Sequence, residues 1–166
     1  MKWRVVAVLC AVLALCVGGQ VFAQTQMVST GVNYGSITWK FMPVDKDHLV
    51  GIGEQPGVRV DDTARGPFNN LATHIAMIMY VDKGVARYHG YETHMDKDGD
   101  SLVWEIWDFP AGTNKGKGKL IGATGKFAGM EGTVDFVLQP TPKGFPPDSS
   151  RTICKEVWNL TLKNPM

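Results

Sequence analysis

Beyond residue 23, apolar residues never recur at helical spacing for more than two turns, whereas alternation with a period of two returns along the whole chain. That period belongs to strands with one buried and one solvated face. Strands are predicted near Val32 to Met42, Leu49 to Gly53, Thr73 to Val81, Val85 to Met95, Ser101 to Asp108, Lys119 to Gly122, Gly132 to Gln139 and Thr152 to Leu162, with glycine, proline and aspartate in the breaks. About eight strands joined by short turns favour an all-β barrel or sandwich over any α/β arrangement. Closure into a barrel also removes the unpaired edges that an all-β protein must otherwise protect. The pattern therefore predicts a single all-β domain of about eight strands, a closed antiparallel barrel or a sandwich. Pro140 to Ser150, with four prolines and a glycine, is the longest predicted loop and the candidate lid.

The N-terminus has a different character. Lys2 and Arg4 precede an unbroken apolar run from Val5 to Val17, followed by Gly18-Gly19-Gln20 and then Val21-Phe22-Ala23. A charged segment, an apolar segment and a small-residue cleavage site in that order form a signal peptide, 1–23, ahead of a domain spanning 24–166. The apolar run falls short of the about 20 residues that span a bilayer, so no integral membrane anchor is expected. Leu15 before Cys16 does not suit lipidation. The protein is expected to be secreted or periplasmic.

Removing 23 of the 166 residues leaves 143, enough for one domain with a substantial core. Cys10 and Cys16 leave with the signal, so Cys154 has no intrachain partner and reads as a buried small hydrophobe. Taking Lys2 and Arg4 from the 17 basic side chains leaves 15 against 16 acidic ones, a net charge of −1. That balance offers no footprint for nucleic acid. The alternation Lys115-Gly116-Lys117-Gly118-Lys119 reads as a solvated loop.

Several motifs fail on spacing. Asp96-Lys97-Asp98-Gly99-Asp100 invites a calcium reading, but an EF-hand needs glycine sixth and a carboxylate twelfth, where this loop has Gly99 fourth and Trp107 twelfth. Asp98-Gly99 between alternating runs is a hairpin signal instead. Gly116 to Lys126 resembles a phosphate loop, yet Leu120 and Phe127 stand where glycine and serine or threonine belong. There is no Gly-x-Ser-x-Gly elbow, His-Glu-x-x-His helix or Cys-x-x-Cys pair, and His48, His74, His89 and His94 are scattered. Neither a metal nor a cofactor is expected.

The run Gly122-Ala123-Thr124-Gly125-Lys126-Phe127-Ala128-Gly129-Met130-Glu131-Gly132 resembles the GGTGxFxGxxG segment of the allene oxide cyclase and dirigent superfamily. Gly66-Pro67-Phe68, the Asp98-Gly99-Asp100 turn before an aromatic strand, and a closing strand with Trp158 resemble its small secreted bacterial members. Ala123 replaces the usual second glycine, and no catalytic residue of either plant family can be matched. The resemblance implies an eight-stranded barrel with a mostly apolar lumen, a homotrimer, and a hydrophobic small molecule as partner, handled without a cofactor. Three functions fit: a binder of an apolar small molecule, a cofactor-free isomerase or cyclase, and a structural protein whose lumen is filled. Fold alone does not choose among them.

One hairpin offers chemistry. With Asp98-Gly99 as the central residues of a type I′ turn, Lys97 faces Asp100 and Glu92 lies opposite Glu105. His94, Val103 and Trp107 share their face together with Tyr88, while Tyr91, Thr93, Met95, Leu102, Trp104 and Ile106 share the other. If the apolar face is core, both glutamates are solvated. If the polar face lines the lumen, burial and like charge separate the two pKa values, giving an acid and a base with His94 in reach. The candidate catalytic residues are then Glu92, Glu105 and His94, and the candidate ligand contacts Trp107, Val103 and Tyr88. Met77, Met79, Trp104 and Trp158 are further candidates for a pocket wall.

Cleavage after Ala23 predicts Gln24 as the N-terminus of exported protein. N-terminal sequencing checks this, and a chain beginning at Met1 or at a lipid-modified Cys16 would contradict it.

Overall fold

The computed structural model describes residues 24–107, 113–139 and 151–163. The signal segment and the candidate lid lie outside the described residues. Nine strands run in chain order: β1 Thr25–Ser36, β2 Thr38–Pro43, β3 His48–Asp61, β4 Leu71–Asp82, β5 Val85–Met95, β6 Ser101–Trp107, β7 Lys115–Ala123, β8 Met130–Leu138 and β9 Arg151–Leu162. A short 3₁₀ turn, Gly125–Phe127, sits between β7 and β8. Sheet order is β1-β9-β8-β7-β6-β5-β4-β3-β2, and β1 also pairs with β3, which closes the barrel.

The closed wall has eight strands because β1 and β2 behave as one. Gly35 pairs with Gly57 and Thr38 with Glu54, so both segments keep a single register against β3 on either side of Ile37. Pro56 falls in the gap between these two ladders, where its missing N–H leaves no β1 or β2 bond unmade. This explains why β3 runs on to Asp61, past the Gly53 at which the sequence pattern stops.

The barrel interior is filled toward one end. Phe68, Leu71, Leu102, Trp104, Leu120, Phe127, Trp158 and Leu160 are all buried in one cluster. Phe68 stacks on Phe127 and meets the edge of Trp158, both at 5.7 Å. The glycine segment and Gly66-Pro67-Phe68, distant in sequence, thus meet as the plug of that end.

The Asp98-Gly99 turn differs from expectation in an instructive way. Type I′ geometry needs positive φ at both central residues. Gly99 has φ +88° but Asp98 is not in that region, so the loop is Lys97-Asp98-Gly99, closed by the Asp96 N–H on the Asp100 carbonyl. Such a three-residue loop, ending on a left-handed glycine, moves the pairing by one residue. The type I′ pattern occurs at Lys83-Gly84, φ 49° and 82°, between paired Asp82 and Val85. The Asp96 carboxylate accepts the backbone N–H groups of Asp98 and Asp100 and pairs with Lys126, so the turn is tied to the glycine segment.

Lys115 to Lys119 is not a loop. It is strand β7, with the lysines exposed and Gly116 and Gly118 buried. A Cβ on Gly116 would run into the Phe136 ring, and one on Gly118 would lie 2.8 Å from both the Glu105 carbonyl oxygen and Val134. Glycine here is the inward half of a two-residue alternation whose core space belongs to β8.

Gly118→Val is therefore expected to destabilise the barrel by about 1–3 kcal/mol through overpacking, while Lys117→Ala on the same strand stays within about 0.5 kcal/mol. Denaturant melts of both variants check this, and equal midpoints would refute the assignment of faces.

Candidate functional site

β5 and β6 pair as Glu92 with Trp104 and Tyr91 with Glu105. This one-residue shift sends every β6 side chain to the opposite face from that expected. Glu92 and His94 point inward and are buried, alongside Leu102, Trp104 and Ile106. Glu105, Val103 and Trp107 alternate to the outer side, where Glu105 is 34% exposed and lies 3.4 Å from His89. The expected Glu92–Glu105 pair is thus corrected: the two carboxyls lie on opposite faces of the wall. Tyr88 lines the lumen cavity, whereas Val103 and Trp107 do not.

The glutamate that joins Glu92 and His94 inside the barrel is Glu156 on β9. Its strand reads Cys154, Glu156, Trp158, Leu160 along the buried face, so the signal in sequence is a carboxylate inside an apolar inward register. Arg59 on β3 was missed for the opposite reason. Val58 and Val60 look like the buried set there, yet Arg59 and Asp61 face inward.

Arg59 is fully buried, and each of its three guanidinium nitrogens donates a hydrogen bond. Nε donates to Glu156 Oε2 at 3.1 Å, Nη1 to the Phe68 carbonyl at 2.9 Å and Nη2 to Ser29 Oγ at 2.8 Å. Its guanidinium carbon lies 3.8 Å from the centre of the Trp158 ring, and Asp61 is 3.6 Å from Nη1. The Trp158 indole N–H donates to Glu156 Oε2 at 3.1 Å. On the other side, Asn33 Nδ2 donates to Glu92 Oε1 at 2.5 Å, and Asn33 Oδ1 accepts from the Thr73 hydroxyl at 3.1 Å. His94 Nε2 is 3.1 Å from Glu92 Oε1 but poorly aligned, and neither ring nitrogen makes a hydrogen bond.

Above this polar layer the lumen opens into a cavity of about 250 Å³. Its wall is mainly apolar or aromatic, including Trp39, Ile75, Met77, Tyr88 and Phe136, and Glu92 and Glu156 form its polar floor. Cys154 also lines it, and burial, with Glu156 and Glu92 nearby, pushes its thiol pKa far up, which disfavours the thiolate.

Burial dominates the electrostatics. It pushes Glu92 up to about 8, against the Asn33 hydrogen bond and Arg59. It raises Glu156 to about 7, reinforced by Glu92. It lowers His94 to about 4, which leaves the ring neutral. A carboxyl raised in this way contributes stability in full below its unfolded value of 4.5, and that contribution fades as pH rises toward 8. His94 acts in the opposite sense, contributing fully above 6.5 and losing its contribution as pH falls toward 4. Glu92→Gln keeps an oxygen for Asn33 but cannot ionise. Its melting temperature relative to the parent is expected to rise as pH is raised from about 5 to about 8 with chelator present. A flat or falling difference in thermal melts would contradict the burial of an ionisable Glu92.

Neither a family model nor a curated protein matches this chain. Among solved structures, two pterocarpan synthase dirigent proteins are similar in fold. One has a TM-score of 0.55 at 10% identity, over 89% of this chain and 91% of its own. The other has a TM-score of 0.52 at 12% identity, over 89% of this chain and 100% of its own. The wall closes by pairing of β1 with β3, the likeness runs over nearly the full length of both chains, and the chain folds as a dirigent-like β-barrel.

Proposed function

We propose that this protein, exported from the cytoplasm, binds a hydrophobic small molecule in its barrel lumen, the apolar body against Ile75, Met77 and Phe136 and a polar end on Glu92 and Glu156. The observation that carries the reading is the cavity itself. Side chains fill one end of the barrel and leave about 250 Å³ open at the other. That lies just under the about 300–1,000 Å³ typical of small-molecule sites. A purely structural barrel gains nothing from such a void, which costs packing energy. Export rests on the charged, apolar and small-residue order of the N-terminus. Binding of apolar compounds also agrees with the dirigent-like fold, though identities of 10% and 12% carry no substrate across.

The isomerase reading keeps one specific support. Glu92 and Glu156 both reach the cavity floor, so two carboxyls address the same bound molecule. Glu156 takes the place the sequence reading gave to Glu105.

N-phenyl-1-naphthylamine, neutral and apolar, is a direct probe. Its emission is expected to rise saturably with the parent protein and with Ile121→Trp on the outer face, and to drop at least about tenfold in apparent affinity with Met77→Trp, which fills the cavity. Equal binding to both variants, or none to the parent, would overturn the lumen as the binding site.

A further inference from the structure

Glu92, His94 and Glu156 each offer one ligand atom, and these three atoms lie within 4.8 Å of one another, the one such group among the described residues. Three points so spaced have a centre no farther than about 2.8 Å from each, so displacements under about 1 Å reach the 2.0–2.2 Å of zinc–oxygen and zinc–nitrogen bonds. We propose that this cluster is a binding site for one divalent transition-metal ion of the zinc type, at the floor of the lumen, with an open coordination position facing the cavity.

The imidazole is the telling group. His94 is fully buried, yet neither ring nitrogen has a hydrogen-bond partner. A buried polar pair left unmade calls for a missing water or ion. Nε2 already stands 3.1 Å from Glu92 Oε1, the spacing of two atoms on one small cation. The remaining contacts are those that orient ligands. Asn33 holds the Glu92 carboxylate through Oε1, while Arg59 and Trp158 hold the Glu156 carboxylate through Oε2.

Charge fits as well. With all acids ionised, Glu92, Glu156 and Asp61 against Arg59 leave two negative charges in a buried layer, and one divalent cation brings the sum to zero. Arg59 is tied elsewhere, each of its nitrogens donating to Glu156 Oε2, the Phe68 carbonyl or Ser29 Oγ. One nitrogen and two carboxylate oxygens suit zinc, cobalt or manganese, whereas calcium takes six to eight oxygens and magnesium near-octahedral oxygen. Three protein ligands with a fourth position open is the pattern of sites that engage a further molecule. Here that position faces a cavity lined by Glu92 and Glu156, where an oxygen of the proposed apolar ligand would bind. Only this last point rests on the lumen-binding reading.

The test is calorimetric titration of chelator-stripped protein with Zn²⁺, together with ring ¹⁵N NMR of the histidines. One Zn²⁺ per chain is expected, with a shift of a His94 ring nitrogen and affinity reduced at least about tenfold in Glu92→Gln and in Glu156→Gln. Glu105→Gln, the same change on the outer face, is expected to leave affinity unchanged. So is His48→Ala, which removes the surface group His48, Asp45 and Asp82 as a rival site. No saturable binding, unmoved His94 resonances, or loss of binding with His48→Ala would overturn the proposal. The NMR readout on the parent protein holds even if a variant fails to fold. Naphthylamine binding without Zn²⁺ binding removes the metal site alone, and the reverse result removes the lumen ligand alone.

Discussion

The buried guanidinium of Arg59 organises this barrel. A cation with five N–H donors has no place in an apolar interior unless those donors are met, and losing one partner of such a pair costs about 3–5 kcal/mol. Here the partners come from β1 through Ser29, from β9 through Glu156 and from the segment before β4 through the Phe68 carbonyl. These are the elements that must come together for the sheet to close, since β1 pairs with both β9 and β3. The indole of Trp158 covers the guanidinium face and joins it to the core beneath. Closure, the plug of aromatic side chains and the polar floor are thus one bonded unit.

That unit also explains why acids are tolerated in the lumen. Glu156 holds its place through Arg59 and Trp158, Glu92 through Asn33, and Asn33 through Thr73. All of these links except the Trp158–Glu156 bond within β9 join two strands, so the bonds that orient the carboxyls also hold the wall. The carboxyl environment is fixed before any ligand arrives, the condition for a polar group to discriminate between bound molecules.

Most of the wall was legible in the sequence because two-residue alternation is a direct consequence of the pleat. β5 and β6 were read almost to their ends, whereas β1 and β3 were cut short where Gly31, Gly53 and Pro56 hide strand behind residues that usually break it. The site was half legible. Glu92, His94 and Tyr88 were found because they share one face of β5. Glu105, Val103 and Trp107 were misplaced by a single torsion: whether Asp98 takes positive φ decides between a two- and a three-residue loop, and pattern alone does not decide it. Glu156 and Arg59 escaped because charged residues in strands are ordinarily assigned to the solvated face. At these two positions the inward row is polar, and the outward Val58 and Val157 are apolar and more than a third exposed.

The unequal filling of the lumen divides the labour along the barrel axis. At the packed end a substitution disturbs Phe68, Phe127 or Trp158 and with them the closure of the wall. At the open end, Ile75, Met77 and Leu138 border empty space, so changes of side-chain size there alter the shape of the void with little to collide against. On the proposal that the lumen holds a ligand, preference for that ligand can drift in one half of the interior while the other half keeps the chain folded, so that a lineage can change its cargo without re-inventing its fold.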